Sequence, residues 1–102
     1  EVEAVALSLA VQALHAPLPA SRHAALQVVE KLAPRGHPQA CSLLLLRFKD
    51  SDWGVRRQAA VTAASVASTS DDKIKEGLAA LKDDAEHYVR VAAAAALAAL
   101  QA

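Results

Sequence analysis

The sequence has little glycine and few aromatic residues: three of its 102 residues are glycine, and phenylalanine, tryptophan and tyrosine occur once each. Alanine, in contrast, makes up about a quarter of the chain. Because alanine is the best helix former and glycine among the worst, this composition favours helix throughout. Alanine buries little area per residue, so we expect stability to come from many shallow contacts rather than from a few large side chains.

Other scarcities disfavour whole functional classes. Eleven basic and eleven acidic residues cancel, whereas a nucleic-acid binder usually carries a basic surplus on one face. The single cysteine cannot form an intrachain disulfide, so we expect an intracellular protein, cytoplasmic or organellar. The longest largely apolar runs, 4–14 and 88–100, are shorter than the 18 or so residues that a membrane-spanning helix requires. We therefore expect neither nucleic-acid binding nor membrane insertion.

The sequence repeats itself with a period of 34 residues. Arg22, Arg56 and Arg90 are 34 residues apart, and each begins an apolar pattern of helical spacing. Between these blocks lie triplets of apolar residues spaced i, i+4, i+7, which form one stripe of an α-helix. The triplets are Leu7, Val11 and Leu14; Cys41, Leu45 and Phe48; and Ile74, Leu78 and Leu81. The chain is therefore predicted to contain three copies of a two-helix unit.

The three units cover about 1–35, 36–69 and 70–102, and together they form one domain, 1–102. The predicted first helices cover about 2–15, 38–49 and 71–82, and the predicted second helices cover about 20–33, 54–68 and 87–101. No single unit can bury its apolar stripe alone, so we expect the units to stack side by side over a continuous core.

The segments "LKDDAEHYVRVAAAAALAAL" and "FKDSDWGVRRQAAVTAAS" resemble HEAT repeats, specifically the short HEAT-like type of phycobilisome lyases and many bacterial and algal proteins. Both have a leucine-rich helix, an aspartate turn and a Val-Arg pair followed by alanines. The first unit departs from this pattern, because Ser21 replaces the valine and no acidic turn precedes it. The resemblance covers the whole chain and implies an all-α fold. That fold is an α-solenoid, a right-handed superhelix of three two-helix repeats with six helices.

The resemblance also implies a structural role for the turn aspartates and the arginines that follow them. In such repeats these side chains bond to one another and to the turn backbone, forming a ladder along the stack. The expected pairs are Asp50 or Asp52 with Arg56, and Asp83 or Asp84 with Arg90. A guanidinium group suits this role, since its rigid array of donors can hold a carboxylate and a turn carbonyl together. Ligand binding by the same residues is the alternative.

Trp53 lies at the turn of the second unit, where two interpretations compete. Tryptophan is enriched in binding hot spots, so the ring is a candidate interface anchor. Alternatively, it covers the turn between units, with His87 in the equivalent place and Tyr88 beside it. We favour the covering role.

A partner surface is predicted on the second helices, which usually line the concave side of HEAT-like arrays. The positions left free by the apolar stripe form three outward rows: His23, Gln27 and Lys31; Arg57, Val61 and Ser65; and Val91, Ala95 and Ala99. The surface grades from polar to apolar along the stack, which suits an amphipathic helix or a peptide. The alternative is an alanine-rich face that is too flat to bind much.

The first and last helices are apolar around most of their circumference, although terminal units of a solenoid need a polar outer face. Methionine is absent, also from position 1. We therefore expect a segment of a longer array, or an oligomer or assembly in which both ends dock on neighbours.

Catalytic and metal-binding patterns are missing. The four histidines are scattered over different units without the i, i+4 spacing of a zinc pair. Cys41 occupies a stripe position and is expected to be a buried small hydrophobe rather than a nucleophile. There is no glycine-rich phosphate loop, so we expect no enzyme, no metal and no cofactor.

These features leave three candidate functions. The first is a non-catalytic scaffold or adaptor that presents a curved helical surface to protein partners within a larger protein or complex. The second is a subunit or domain of a bilin lyase system, which the resemblance allows. The third, a HEAT-like nucleic-acid binder, is disfavoured by the zero net charge.

Overall fold

The computed structural model describes residues 1–102 and consists of six α-helices joined by short turns. The helices are α1 (Val2–Ala13), α2 (Pro19–Leu32), α3 (Pro38–Arg47), α4 (Trp53–Val66), α5 (Asp72–Leu81) and α6 (His87–Gln101). Each begins and ends within about two residues of its predicted position, a margin usual for helix ends. The predicted all-α fold of six helices is confirmed.

The helices form two layers. The first helices of the units, α1, α3 and α5, lie side by side in one layer, and the second helices, α2, α4 and α6, pack against each other in the other. Within each unit the two helices also pack together. The result is an α-solenoid slab with extents of 38 × 29 × 16 Å.

Side-chain caps explain where several helices begin. The carboxylates of Asp52 and Asp71 accept hydrogen bonds from the backbone N–H groups of Val55 at 3.0 Å and Ile74 at 3.1 Å. Such bonds satisfy N–H groups that have no partner within the first turn. The linker before α3 contains Gly36 with a φ of 84°, and its N–H donates to the Val66 carbonyl. This left-handed conformation favours glycine.

A continuous core of 24 buried apolar residues runs through all three units. Of the predicted stripe, Leu7 and Leu45 are only partly buried, while the other seven residues are buried. Leu44 is fully buried in place of Leu45. The predicted core position of Cys41 is therefore right, and desolvation, followed by the charge of Asp71, raises the pKa of its thiol.

Small residues allow helices to pack closely in both layers, through alanines of α4 and through Gly77 of α5. Ala59, Ala60 and Ala63 of α4 are fully buried between neighbouring helices. At Gly77 of α5, a β-carbon would lie 2.7 Å from Cδ2 of the Phe48 ring. The first-helix layer therefore depends on the absence of a side chain at this position.

The outer helices carry exposed apolar side chains, as their sequences predict. On α1, Val2, Val5 and Leu9 are exposed, and on α6 Val91 is exposed. None of the six helices combines the length and apolarity needed to cross a membrane.

Candidate partner-binding site and the turn ladder

The turns between paired helices are held by arginines that bridge two successive units. Nε and Nη2 of Arg22 donate to the Asp50 carboxylate at 2.8 and 2.9 Å. Nε and Nη2 of Arg56 donate to the Asp84 carboxylate at 2.8 and 3.2 Å. In both cases the remaining nitrogen, Nη1, donates to backbone carbonyls of the arginine's own turn. A planar guanidinium is suited to this double task.

This geometry corrects the expected pairing. Arg56 bonds to the backbone carbonyl of Asp50 at 2.8 Å, not to its carboxylate, and the Asp50 carboxylate belongs to Arg22 of the preceding unit. Likewise, Arg90 bonds only to the backbone carbonyls of Asp84 and Ala85. The reason is geometric. Each guanidinium uses Nη1 to bind the carbonyls of its own turn, which leaves Nε and Nη2 directed at the next unit.

The other two predicted aspartates have different places. Asp52 caps α4, and the exposed side chain of Asp83 forms no hydrogen bond or ion pair within the chain. Arg47 was not anticipated. It donates to the Leu14 carbonyl at 2.9 Å and forms an ion pair with Asp50 at 3.2 Å.

The bridging carboxylates are held in the charged state. Burial would raise the pKa of Asp50, but hydrogen bonds from Arg22 and from the Asp52 N–H outweigh it, and the pKa is lowered overall. Burial acts in the same direction on Asp84, where hydrogen bonds from Arg56 and the Glu86 N–H again lower the pKa below its ordinary value. These charges serve the contacts between units.

A second polar link joins α2 to α4. Nε2 of Gln58 donates to Glu30 at 2.9 Å and to the Thr62 hydroxyl at 3.2 Å, and that hydroxyl donates to the Leu26 carbonyl at 3.3 Å. Gln58 and Thr62 are buried. The link therefore adds a polar contact between the first two units.

The nine residues of the predicted outward rows lie on the three neighbouring second helices. Seven of them are exposed, whereas His23 and Val61 are half-buried. His23 and Arg57, one turn from the start of their helices, line one shallow cleft, while the other seven lie outside it. Their role in binding stays a prediction.

The cleft is the one place where three units contribute polar and aromatic side chains to one surface. It has a volume of about 330 Å³ and is lined by His23 of the first unit, Trp53, Gly54 and Arg57 of the second, and Tyr88 of the third. The rings of Trp53 and Tyr88 stack with centroids 5.8 Å apart and an interplanar angle of 23°. The His87 ring packs against Tyr88 at 5.7 Å.

Trp53 therefore does not simply cover a turn. Its side chain is 42% exposed, and Tyr88 is 61% exposed. The tryptophan ring contacts the next unit and also faces the cleft, so it combines features of both interpretations. Tyr88 contributes the second ring of the stacked pair.

Comparison with protein families supplies the classification. The family model for HEAT repeats matches residues 7–98. The chain belongs to the HEAT repeat family. A search of curated proteins found no significant match. HEAT repeats typically act as non-catalytic modules that mediate protein–protein interaction.

A larger groove in this HEAT array lies on the opposite layer, between α3 and α5. Its volume is about 580 Å³, and aliphatic residues such as Leu46 and Ala80 line it together with Lys49, Lys73 and Glu76. Phe48 also borders the groove but is only 4% exposed, and the charges are of both signs. The groove thus offers neither an exposed aromatic ring nor a uniform charge to a partner.

Besides Arg47, sequence reasoning missed the bridging role of Arg22 and the place of the Tyr88 ring in the cleft. Arg22 could have been found from the 34-residue spacing, which places it in line with Arg56 and Arg90. Tyr88 gave a weaker signal, since the equivalent residue of the second unit is Gly54. Its contact with Trp53 follows only from the packing of α4 on α6.

Proposed function

We propose that this HEAT array is a non-catalytic scaffold that binds a protein segment on the second-helix layer, with the cleft at Trp53 and Tyr88 as the centre of the contact. The observation that carries the proposal is the stacked, exposed pair of rings in a cleft to which three units contribute. It acts as an adaptor within a larger protein or complex. None of these contacts favours the bilin lyase alternative.

The composition of the cleft supports a protein partner. Tryptophan, tyrosine and arginine dominate binding hot spots, and the cleft contains one of each. Two of the three aromatic residues of the chain lie on this surface rather than in the core. Because the rings stack on each other, little side-chain freedom is lost when a partner covers them.

The charge of the cleft indicates which side chains the partner offers. Arg57 is exposed and forms no hydrogen bond or ion pair within the chain, and it lines the cleft together with His23. A carboxylate of the partner would meet the Arg57 guanidinium, and an apolar side chain would meet the rings. The preferred segment is therefore short, with an acidic residue next to an apolar one.

The test uses phage-displayed random peptides selected on the full chain, with Trp53 fluorescence as the binding signal. We expect enriched peptides that contain acidic and apolar neighbours. Arg57→Ala and Tyr88→Ala are expected to weaken binding at least tenfold, the usual range for hot-spot residues.

The matched control is Leu46→Ala, which removes an exposed apolar side chain from the groove on the other layer. It should leave peptide affinity unchanged. The proposal is refuted if the selected peptides bind the Arg57 and Tyr88 variants as well as the unaltered chain but lose affinity for the Leu46 variant. That result would place the partner site in the α3–α5 groove.

A further inference from the structure

The groove between α3 and α5 exists because small residues stand where the preceding unit has large ones. Gly77 and Ala80 of α5 are equivalent to Leu44 and Arg47 of α3, each one residue before a matched position of the apolar stripe. Leu44 is fully buried, and Arg47 reaches the Leu14 carbonyl of the first unit at 2.9 Å. No such cavity lies between α1 and α3. The small residues of α5 therefore leave open a space of about 580 Å³.

The walls of this α3–α5 groove are apolar. Leu45 and Leu46 of α3 and Leu81 of α5 line it, and Leu46 is half exposed. The Phe48 ring, which lies against Gly77, also borders the groove and is almost completely buried. Apolar cavities of about 300–1,000 Å³ with a few polar groups are typical of small-molecule sites, and the groove has this size and lining. It therefore suits a small ligand with an apolar body.

The charges around the groove are of both signs but are distributed unevenly. Lys49, Lys73 and Glu76 line it, and none of them forms an ion pair within the chain. Lys73 and Glu76 belong to α5, which together with its N-cap residue carries three carboxylates and two lysines: Asp71, Asp72, Glu76, Lys73 and Lys75. The charges of α5 therefore sum to one negative charge, which does not attract an anion.

The α3 side of the groove is positive. The helix contains no acidic residue, and Lys49 follows shortly after its end. The next residue, Asp50, does not neutralise this lysine, because its carboxylate is bound by Arg22 and Arg47. The ammonium group of Lys49 is thus available to an anionic head group, which it attracts by charge complementarity.

We propose that the α3–α5 groove binds a small anionic amphiphile, a free straight-chain fatty acid. Its carboxylate pairs with Lys49, and its hydrocarbon chain lies along α5 over Ala80 and Gly77. The chain occupies the space that large side chains would fill if α5 had the residues of α3, and it gains stability from the burial of its methylene groups. This site is separate from the cleft at Trp53 and Tyr88, which lies on the other layer.

The experiment measures the binding of dodecanoate to the full chain by isothermal titration calorimetry at pH 7, below the concentration at which the ligand forms micelles. We expect one site per chain. Ala80→Leu should weaken binding roughly tenfold, the loss expected when two methylene groups of the ligand are displaced from apolar contact. Ala79→Leu is the matched control, since Ala79 is exposed on the same helix but does not line the groove. It should leave the affinity unchanged.

A second pair of variants tests the position of the carboxylate. Lys49→Ala should weaken the binding of dodecanoate about two- to fivefold, the usual contribution of an exposed ion pair. The same change should leave the affinity for dodecanol, which has no charge, unaltered. Lys82→Ala is the control, because Lys82 is also exposed but lies outside the groove. It should affect neither ligand.

Three results would overturn the proposal: no binding of dodecanoate, equal effects of Ala80→Leu and Ala79→Leu, or equal effects of Lys49→Ala and Lys82→Ala. Sedimentation of the chain with phosphatidylglycerol vesicles, without binding of dodecanoate, would assign the groove to a membrane surface and would also overturn it. Circular dichroism and urea unfolding of each variant separate a loss of the site from a loss of the fold.

Discussion

Arg56 and Asp84 are joined by two hydrogen bonds, of 2.8 and 3.2 Å, although 28 residues separate them in the chain. The same guanidinium donates to the Asp50 carbonyl at 2.8 Å. One side chain thus closes the turn of its own unit and fixes the turn of the next. Arg22 repeats this arrangement with Asp50.

This relationship explains how an alanine-rich chain specifies its stacking. Small side chains pack closely but interlock little, so a sliding displacement between second helices would cost few contacts. The bidentate arginine–aspartate pairs lie at one end of these helices and tolerate little displacement, since such pairs are geometrically specific. The core supplies most of the stabilising free energy, and the ladder selects the register.

The ladder predicts a loss of stability in acid. The pKa values of Asp50 and Asp84 are lowered in the folded state, so their contribution is complete above the unfolded-state pKa of about 3.9 and disappears as the pH falls through the folded value. The free energy of unfolding, measured with urea between pH 7 and pH 2, should therefore fall below about pH 4.

Asp50→Asn should lower the stability at pH 7 and flatten the fall below pH 4, because the substituted amide does not titrate. Asp83→Asn is the matched control, since the exposed Asp83 side chain forms no hydrogen bond or ion pair within the chain. If Asp50→Asn and Asp83→Asn gave the same acid profile, the bridging carboxylate would not be the titrating group.

The contact of Phe48 with Gly77 predicts an unusual effect of alanine in a helix. Gly77→Ala should gain about 1 kcal/mol from helix propensity, but its β-carbon would lie 2.7 and 2.9 Å from two carbons of the Phe48 ring. We expect a net loss of about 1–3 kcal/mol, the usual cost of overpacking a core, measured by urea unfolding.

The Phe48→Leu background separates propensity from crowding. There the ring is absent, and Gly77→Ala should be neutral or stabilising relative to Phe48→Leu alone. A net stabilisation by Gly77→Ala in the unaltered chain would show that the ring moves aside without cost.

The helices and the repeat units could be predicted because the residues that determine them are close together in the sequence. The apolar spacing, the proline-containing starts of α2 and α3, and the capping aspartates Asp52 and Asp71 are all readable along the chain. Leu45, in contrast, was predicted to be buried and is only partly buried. Four leucines follow one another from 43 to 46, so the sequence alone does not select the face of α3 that turns inward, and Leu44 is fully buried.

The pairing within the ladder could not be read in the same way. The resemblance to HEAT-like repeats implied Asp50 or Asp52 for Arg56. The backbone carbonyl of Asp50 does accept a bond from Arg56, but the carboxylate partner depends on the offset between stacked units. The stacked rings of Trp53 and Tyr88 depend on the same offset. Such contacts between units follow from packing geometry, which a periodic pattern predicts only in outline.

The most direct test of the ladder is a double-mutant cycle on Arg56 and Asp84. The free energy of unfolding is measured by urea denaturation at pH 7 for Arg56→Ala, Asp84→Ala and the double variant. Arg56→Ala alone should lower the free energy of unfolding by about 1–3 kcal/mol. The control cycle uses the neighbouring residues Arg57 and Asp83, which form no hydrogen bond or ion pair with each other. The account predicts a coupling of about 1–3 kcal/mol between Arg56 and Asp84. A coupling below about 0.5 kcal/mol, as for independent sites, would contradict the claim that these pairs join the units.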